Sequence, residues 1–363
     1  MRVVVTGAAG FVGSHVAEAF ADAGHEVLAV DALARSPAPE LARRTWEQVT
    51  ARPGVTGLEA DLAVDGLEAV AAADVVVHLA GRPGVRSSWG AGRAAAERDN
   101  VLATGRLLAA CMERSVPGGV GGRPPTGKQP VPGGLGGRPP TGNRSVPGGA
   151  GGRSPAKKRS ARPLVIVASS SSVYGSAGHR PHREDDPLNP ASPYAVSKVE
   201  VERLAGLAAR DGLRTVLLRY FSVYGPRQRP DMAFHRFVEA ALDGRPLPVF
   251  GDGRRTRSFT HVEDVVAATL AAAGADLPPG IAVNVGHPEA VAVRSAIGML
   301  TGVLGVRPEI RREAPVAGDA ARTWADPGRA ERLLGWTART GLAEGLADQI
   351  AWHRALRARE VRV

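Results

Sequence analysis

Glycines at positions 7, 10 and 13 constrain this chain more than any other feature. They follow the short apolar run Val3–Thr6 and precede Val12–Ala23, which reads as a helix. In such a strand–turn–helix, Gly7 makes the tight turn and Gly10 lets backbone approach a pyrophosphate. Gly13 lets the helix pack closely, and the helix N-terminus then faces the phosphates. A second strand, Val27–Val30, ends at Asp31, 18 residues beyond Gly13. An acid there binds the adenosine ribose hydroxyls and repels a 2′-phosphate, so NAD is expected rather than NADP. Arg35, close by, is the one counter-signal.

The rest of the chain keeps the alternation. Val75–Leu79 reads as a strand, the region Arg93–Glu113 as a helix, Leu164–Ala168 as a strand, Pro193–Arg210 as a helix and Thr215–Arg219 as a strand. Strands separated by helices imply right-handed crossovers and an α/β fold with a doubly wound parallel sheet, the Rossmann arrangement, carrying a smaller C-terminal α/β region. Short apolar runs fit strands buried on both faces. We expect residues 1–113 and 163–225 to form the dinucleotide-binding domain. Residues 226–355 are expected to be mainly a substrate region, with some strand and helix returning to the first domain near 260–286.

Residues 114–162 interrupt this pattern. Val116-Pro-Gly-Gly-Val-Gly-Gly-Arg123 recurs from Val131 and again from Val146. Gly and Pro oppose helix and strand, so the composition predicts a disordered insertion. The segment holds ten Lys and Arg and no acid, and the whole chain has 46 bases and 36 acids. All of the net charge of +10 therefore resides in it, and the remainder is neutral. The charge does not mark the folded body as a nucleic-acid binder. Gly122–Lys128 imitates a P-loop but has Gln129 where a Ser or Thr belongs. The opening of the chain, the lack of an 18-residue apolar stretch and the single cysteine, Cys111, lead us to expect a cytoplasmic protein with no membrane partner. His179 and His182 have no ligand partners at metal-binding spacing and read as surface histidines, so no metal is expected.

Further motifs occur in order: Asp61-Leu62, His78-Leu79-Ala80-Gly81, Ser169-Ser170-Ser171-Ser172-Val173-Tyr174-Gly175 and Tyr194-Ala-Val-Ser-Lys198. Downstream stand Arg219-Tyr220-Phe221-Ser222, continuing to Met232, then Val249–Gly253, Arg257–Asp264 and Gly318-Asp319. With the glycine turn, this set resembles the extended short-chain dehydrogenase/reductase family, in its nucleotide-sugar epimerase/dehydratase branch. The UDP-glucuronate and UDP-glucose 4-epimerases are the nearest pattern. The resemblance covers the chain except 114–162.

Tyr194 and Lys198, four apart, share one helical face. A free tyrosine is too weak an acid to serve as a base at neutral pH, and a nearby ammonium and the nicotinamide cation favour its phenolate. The resemblance implies Ser170, Tyr194 and Lys198 as the catalytic set. It implies NAD contacts at Gly7, Gly10, Phe11, Val12, Gly13, Asp31, Asp61, Leu62, Leu79, Ala80, Gly81, Asn100, Ser169, Tyr194, Lys198 and Tyr220. Ser171 and Ser172 occupy positions where related 4,6-dehydratases carry Asp-Glu and decarboxylases a Glu. A serine supplies no such acid–base function, which leaves reversible oxidation at C4.

The same resemblance places Arg257 on the substrate diphosphate, Phe250 on the uracil and Asp319 on the nucleotide ribose. Val316 replaces an Arg often found three residues before that Asp. Arg86 and Ser87 should line the sugar pocket with Ser171 and Ser172. Ser222 and Arg229 can hold a hexuronate carboxylate, so UDP-glucuronate is expected over UDP-glucose. A galactose-type epimerase, a dehydratase or decarboxylase, and a non-catalytic NAD-binding sensor remain as alternatives. By family analogy, the helices near 93–113 and 193–210 should form a homodimer. No nucleic-acid partner is expected.

Overall fold

The computed structural model describes residues 1–113 and 162–360. The repeat insertion lies outside them, as does its expected disorder. Seven strands form the central sheet: β1 (Arg2–Thr6), β2 (Glu26–Asp31), β3 (Val55–Glu59), β4 (Val75–His78), β5 (Leu164–Ser170), β6 (Arg214–Tyr220) and β7 (Ile281–Val285). Their order is β7-β6-β5-β4-β1-β2-β3, and every pairing is parallel. The chain starts at β1, winds out to β3, then returns to the other side of β1 at β4. Ligands in such sheets bind where the direction reverses, beyond the carboxyl ends of β1 and β4.

Burial on both faces explains the uninterrupted valine runs. Val3 and Val5 of β1 join the core layer that includes Val16 and Phe20 of helix α1 (Phe11–Asp22). Val4 points the other way, into the layer with Leu107, Cys111, Val201 and Ala205. These belong to helices α2 (Ala103–Glu113) and α3 (Pro193–Arg210). The region Arg93–Glu113, read from sequence as one helix, is not uniform. It begins as an α-helix at Gly92–Ala96, passes through a π-helical turn at Glu97–Leu102 and resumes as α2. Such turns concentrate at functional sites.

A further apolar cluster gathers Phe234, Phe237, Val249, Leu300, Leu346 and Ile350. Around it pack helices Ala233–Leu242, Val293–Leu304 and Leu342–Glu360, with strand Leu247–Phe250 paired in parallel to Ile310–Glu313. A short ribbon, Thr256–Arg257 between Val291–Ala292 and Arg322–Thr323, carries Arg257. α2 runs to Glu113, and Leu164 opens β5 by donating its N–H to the Asp74 carbonyl. Among the described residues, no helix is long and apolar enough to cross a membrane.

Candidate active site

The glycine turn has the geometry its spacing requires. Gly7 has φ +73°, and a Cβ on it would stand 2.8 Å from the Ala80 nitrogen. The β1 and β4 loops therefore meet backbone to backbone at the switch point. A Cβ on Gly13 would collide with the Gly7 carbonyl oxygen. Its closest constraint is thus the turn itself rather than the sheet. Gly10 caps α1 in extended conformation with no side-chain hydrogen bond, so the N–H groups of Phe11 and Val12 are left facing the turn. This is a cradle for an anionic pyrophosphate.

Asp31 closes β2 with one carboxylate oxygen accepting from Ala9 N–H at 3.0 Å and the other from Leu33 N–H at 2.9 Å. Burial pushes this carboxyl up, while those N–H groups hold it down. A carboxylate has about four acceptor positions, so ribose hydroxyls can still bind. Arg35 is turned to Asp61, at 3.1 Å, and Arg98 reaches the same oxygen at 2.7 Å. Burial raises the Asp61 carboxyl, but the Arg98 hydrogen bond and the neighbouring charges outweigh it and keep it low. Leu62 is buried, and Arg106 anchors its carbonyl at 2.6 Å.

The loop after β4 is held by two polar relays. His78 is sandwiched between the Thr6 hydroxyl at 2.8 Å and the Thr104 hydroxyl at 2.9 Å. Burial, then the charge of Lys198, lowers this imidazole to about 3, which keeps it neutral. The Thr6 hydroxyl also accepts from Ala80 N–H. Asn100, on the π-helical turn, does not present its amide freely to a cofactor. It accepts from Arg82 N–H at 2.7 Å and donates to the Ser197 hydroxyl at 2.8 Å, which itself donates to the Tyr194 carbonyl. Asn100 thereby ties the Leu79–Gly81 loop to the helix carrying the reacting groups.

That helix, α3, starts where the sequence directs. Ser192 accepts from Ala195 N–H, and Pro193 occupies the first turn. Tyr194 is placed against Ser170 at the end of β5. Burial raises the phenol, while the hydrogen bond with Ser170 and then the charge of Arg229 lower it. Lys198 is buried and donates to the Ala168 carbonyl at 2.8 Å. Burial brings its ammonium down to about 8, with Glu202 opposing. Two of its three donors remain for a ribose.

The serine run divides by direction. Ser170 also accepts from Ser172 N–H at 3.1 Å, so it caps the short 3₁₀ turn as well as facing Tyr194. Ser169 points away and donates to Glu202 at 2.5 Å, which leaves only its backbone for a cofactor. Glu202 is gripped by Arg219 through two further bonds, at 2.8 and 2.7 Å. Ser171 is buried, and the Ser172 hydroxyl is buried with no hydrogen-bond partner among the described residues. The hydroxyl of Tyr220, a residue expected on the cofactor, shares a hydrogen bond with the Thr269 hydroxyl at 2.9 Å. His182, expected at the surface, is packed inward. Its ring stacks on Tyr174 at 4.5 Å, whereas His179 is exposed.

The expected substrate groups are largely paired with one another. Arg229 grips Asp231 with two bonds, at 2.9 and 3.0 Å. Arg86 donates to the Asp231 carbonyl at 2.6 Å and lies 4.7 Å over the Phe250 ring. Arg236 lies 5.2 Å from the same ring. The ring assigned to a base is therefore already flanked by guanidinium groups. Asp319 accepts from Arg257 at 2.7 Å, and Arg255 pairs with its other carboxylate oxygen at 2.6 Å while donating to its backbone carbonyl. Arg255 stands where no charge was expected, and it balances Asp319 despite Val316. Ser87 is exposed and bonds only weakly to Pro83 and Gly84 carbonyls, and Ser222 offers its carbonyl to Thr260 N–H. Arg227 also escaped sequence reading. It has φ +63° and donates to Glu18 of α1 at 3.0 Å, joining the Arg229 loop to the glycine-turn helix.

The model of the NAD dependent epimerase/dehydratase family matches residues 3–286. The chain belongs to this family. It is 32% identical over 359 residues to a Bacillus subtilis protein described as an uncharacterized UDP-glucose epimerase, YtcB, covering 98% of this chain and 99% of that one. Its fold matches the UDP-glucuronic acid 4-epimerase of Bacillus cereus, solved with UDP-glucuronic acid and NAD, with TM-score 0.82, 30% identity and coverage of 98% and 100%. MoeE5, solved with UDP-glucuronic acid and NAD and also with UDP-glucose and NAD, matches with TM-score 0.77, 36% identity and coverage of 98% and 100%. The cofactor of this family member is NAD. Its glycine turn, Asp31 and the Arg35–Asp61 pair fit a dinucleotide without a 2′-phosphate.

Proposed function

We propose that the chain catalyses NAD-dependent 4-epimerisation of a UDP-sugar, with UDP-glucuronate preferred. The observation that carries the reaction is the Ser170–Tyr194–Lys198 arrangement with serines, not acids, at 171 and 172. Tyr194 takes the proton of the 4-hydroxyl, and Ser170 holds the 4-oxygen beside it. Lys198 keeps a positive charge near the phenolate and offers two donors to the nicotinamide ribose. NAD, when bound, supplies the hydride acceptor and donor at C4. The 4-keto sugar turns over, hydride would return to the opposite face of C4, and Tyr194 gives the proton back to the 4-oxygen. Without an acid–base pair aimed at C5 and C6, elimination is not served. The same retention of Tyr194 and Lys198 argues against a sensor without chemistry.

Two features support the uronate. The Arg229 fork already binds one carboxylate, that of Asp231, and lies near enough to Tyr194 to lower its phenol. Ser172 brings a buried hydroxyl without a hydrogen-bond partner among the described residues. A hexuronate carboxylate entering here would exchange with Asp231 on Arg229. We further assign residues 226–355 mainly to the nucleotide-sugar side and 1–113 with 163–225 to the NAD side. We place the enzyme in the cytoplasm. A homodimer is supported by the exposed Trp89, Leu102 and Val196, which line one groove beside α3.

The deciding experiment incubates the purified protein with UDP-glucuronate, UDP-glucose and dTDP-glucose in turn and separates the products. The proposal expects the 4-epimer of UDP-glucuronate to form fastest, with no net consumption of NAD. Stoichiometric NADH release would instead identify a net dehydrogenase.

A further inference from the structure

Away from the reacting groups, the helix Ala233–Leu242 and the C-terminal helix Leu342–Glu360 bring together His235, Glu239 and His353. One ligand atom from each lies within 4.8 Å of the other two. We propose that this cluster is a binding site for a divalent transition metal of the zinc class. Two imidazoles and one carboxylate suit such an ion better than magnesium or calcium, which take oxygen ligands.

The surroundings are those of a ligand set. His235 Nδ1 lies 2.7 Å from the Gln228 carbonyl, which fixes the ring and leaves Nε2 for a ligand bond. His353 is fully buried, and its Nδ1 stands 2.5 Å from Glu239 Oε1, so an ion would take the place of the proton these two atoms share. The two rings lie 4.5 Å apart at 73°. Glu239 keeps its second oxygen on Arg357, which also pairs with Asp243 at 2.7 Å. A ligating carboxylate held in this way is oriented by its outer partner. Three protein ligands leave one coordination position for water.

The site also has a route to the substrate side. Gln228 receives His235 N–H on its side-chain oxygen at 2.9 Å and is bonded to Gln349, which accepts from Gly225 N–H. The clamped segment, residues 225–228, leads directly into Arg229. A bound ion would brace that segment without touching the substrate.

The test uses the full-length protein stripped with a chelator and titrated with Zn²⁺, and separately with Co²⁺. One equivalent should bind, and the unfolding midpoint should rise with Zn²⁺. Co²⁺ should give visible absorption bands of a nitrogen- and oxygen-ligated ion. His235→Gln and His353→Gln should each abolish the bound equivalent and the midpoint shift. The Co²⁺ titration of the unsubstituted chain decides the matter even if a variant fails to fold. Absence of stoichiometric binding, or binding that both folded variants retain, would overturn the proposal.

Discussion

The two ends of the active site are built on different principles. At the cofactor end, the important groups are backbone: the N–H groups at the start of α1, the Gly7–Ala80 approach and the Ala168 carbonyl that holds Lys198. At the end proposed to take the sugar, they are long charged side chains paired with one another or laid over a ring: Arg229 with Asp231, Arg255 and Arg257 with Asp319, and Arg86 and Arg236 over Phe250. Backbone cradles are set by the fold and tolerate almost no change of shape. Paired side chains can exchange one carboxylate for another, which makes the sugar end the place where specificity can differ among relatives.

The largest expected effect lies where the two ends meet. Tyr194→Phe removes the proton acceptor and should lower kcat by roughly 10²–10⁴-fold with NAD still bound. Retention of full activity would mean that Tyr194 does not carry the proton. Gly13→Ala probes the rigidity of the cofactor end. The new Cβ meets the Gly7 carbonyl, so stability should fall by about 1–3 kcal/mol, with weakened NAD binding in a fluorescence titration. An unchanged affinity would show that the cradle can yield.

Arg229→Ala probes the adaptable end. It should reduce kcat/KM for UDP-glucuronate by about 10–100-fold and that for UDP-glucose much less. Equal losses would remove the uronate assignment. Smaller effects depend on pH. With the Lys198 ammonium brought down to about 8, kcat should decline as pH rises through 8, because the cation is lost there. A profile flat to pH 10 would contradict this. His15 and His78 titrate near 4 and 3 when folded, against about 6.5 when unfolded. Between those values the unfolded chain binds more protons. Stability should therefore fall as pH drops from 6.5 towards 4, seen as a lower thermal midpoint.

The cofactor end was legible in the sequence for the same reason that it is rigid. Only glycine fits at 7 and 13, and a strand, a turn and a helix can be read from local pattern. Pro193–Arg210 has the predicted bounds because Ser192 and Pro193 mark its start. Side-chain direction was less visible. Nothing in a run of four serines says that Ser169 faces Glu202 while Ser170 faces Tyr194, since strand alternation sends neighbours to opposite faces. His182 was expected at the surface because nothing in the sequence marks its stacking on Tyr174. Asp231 and Arg255 were missed although they sit within or beside recognised motifs. Arg255 acts through a long-range pairing with Asp319, and Asp231 through the turn that folds it back onto Arg229.

The π-helical turn at Glu97–Leu102 has a consequence for phase. Each α-helical residue advances about 100° around the axis, so a locally widened turn resets which residues face inward. Here it brings Asn100 to Arg82 and Ser197 while Leu102, two residues on, is left exposed. Removing one residue from this turn would leave a more regular helix whose angular offset no longer matched both neighbours. Either Asn100 or the buried face of α2 would lose its alignment, so the irregular geometry is what lets one continuous helical stretch serve two surfaces at once.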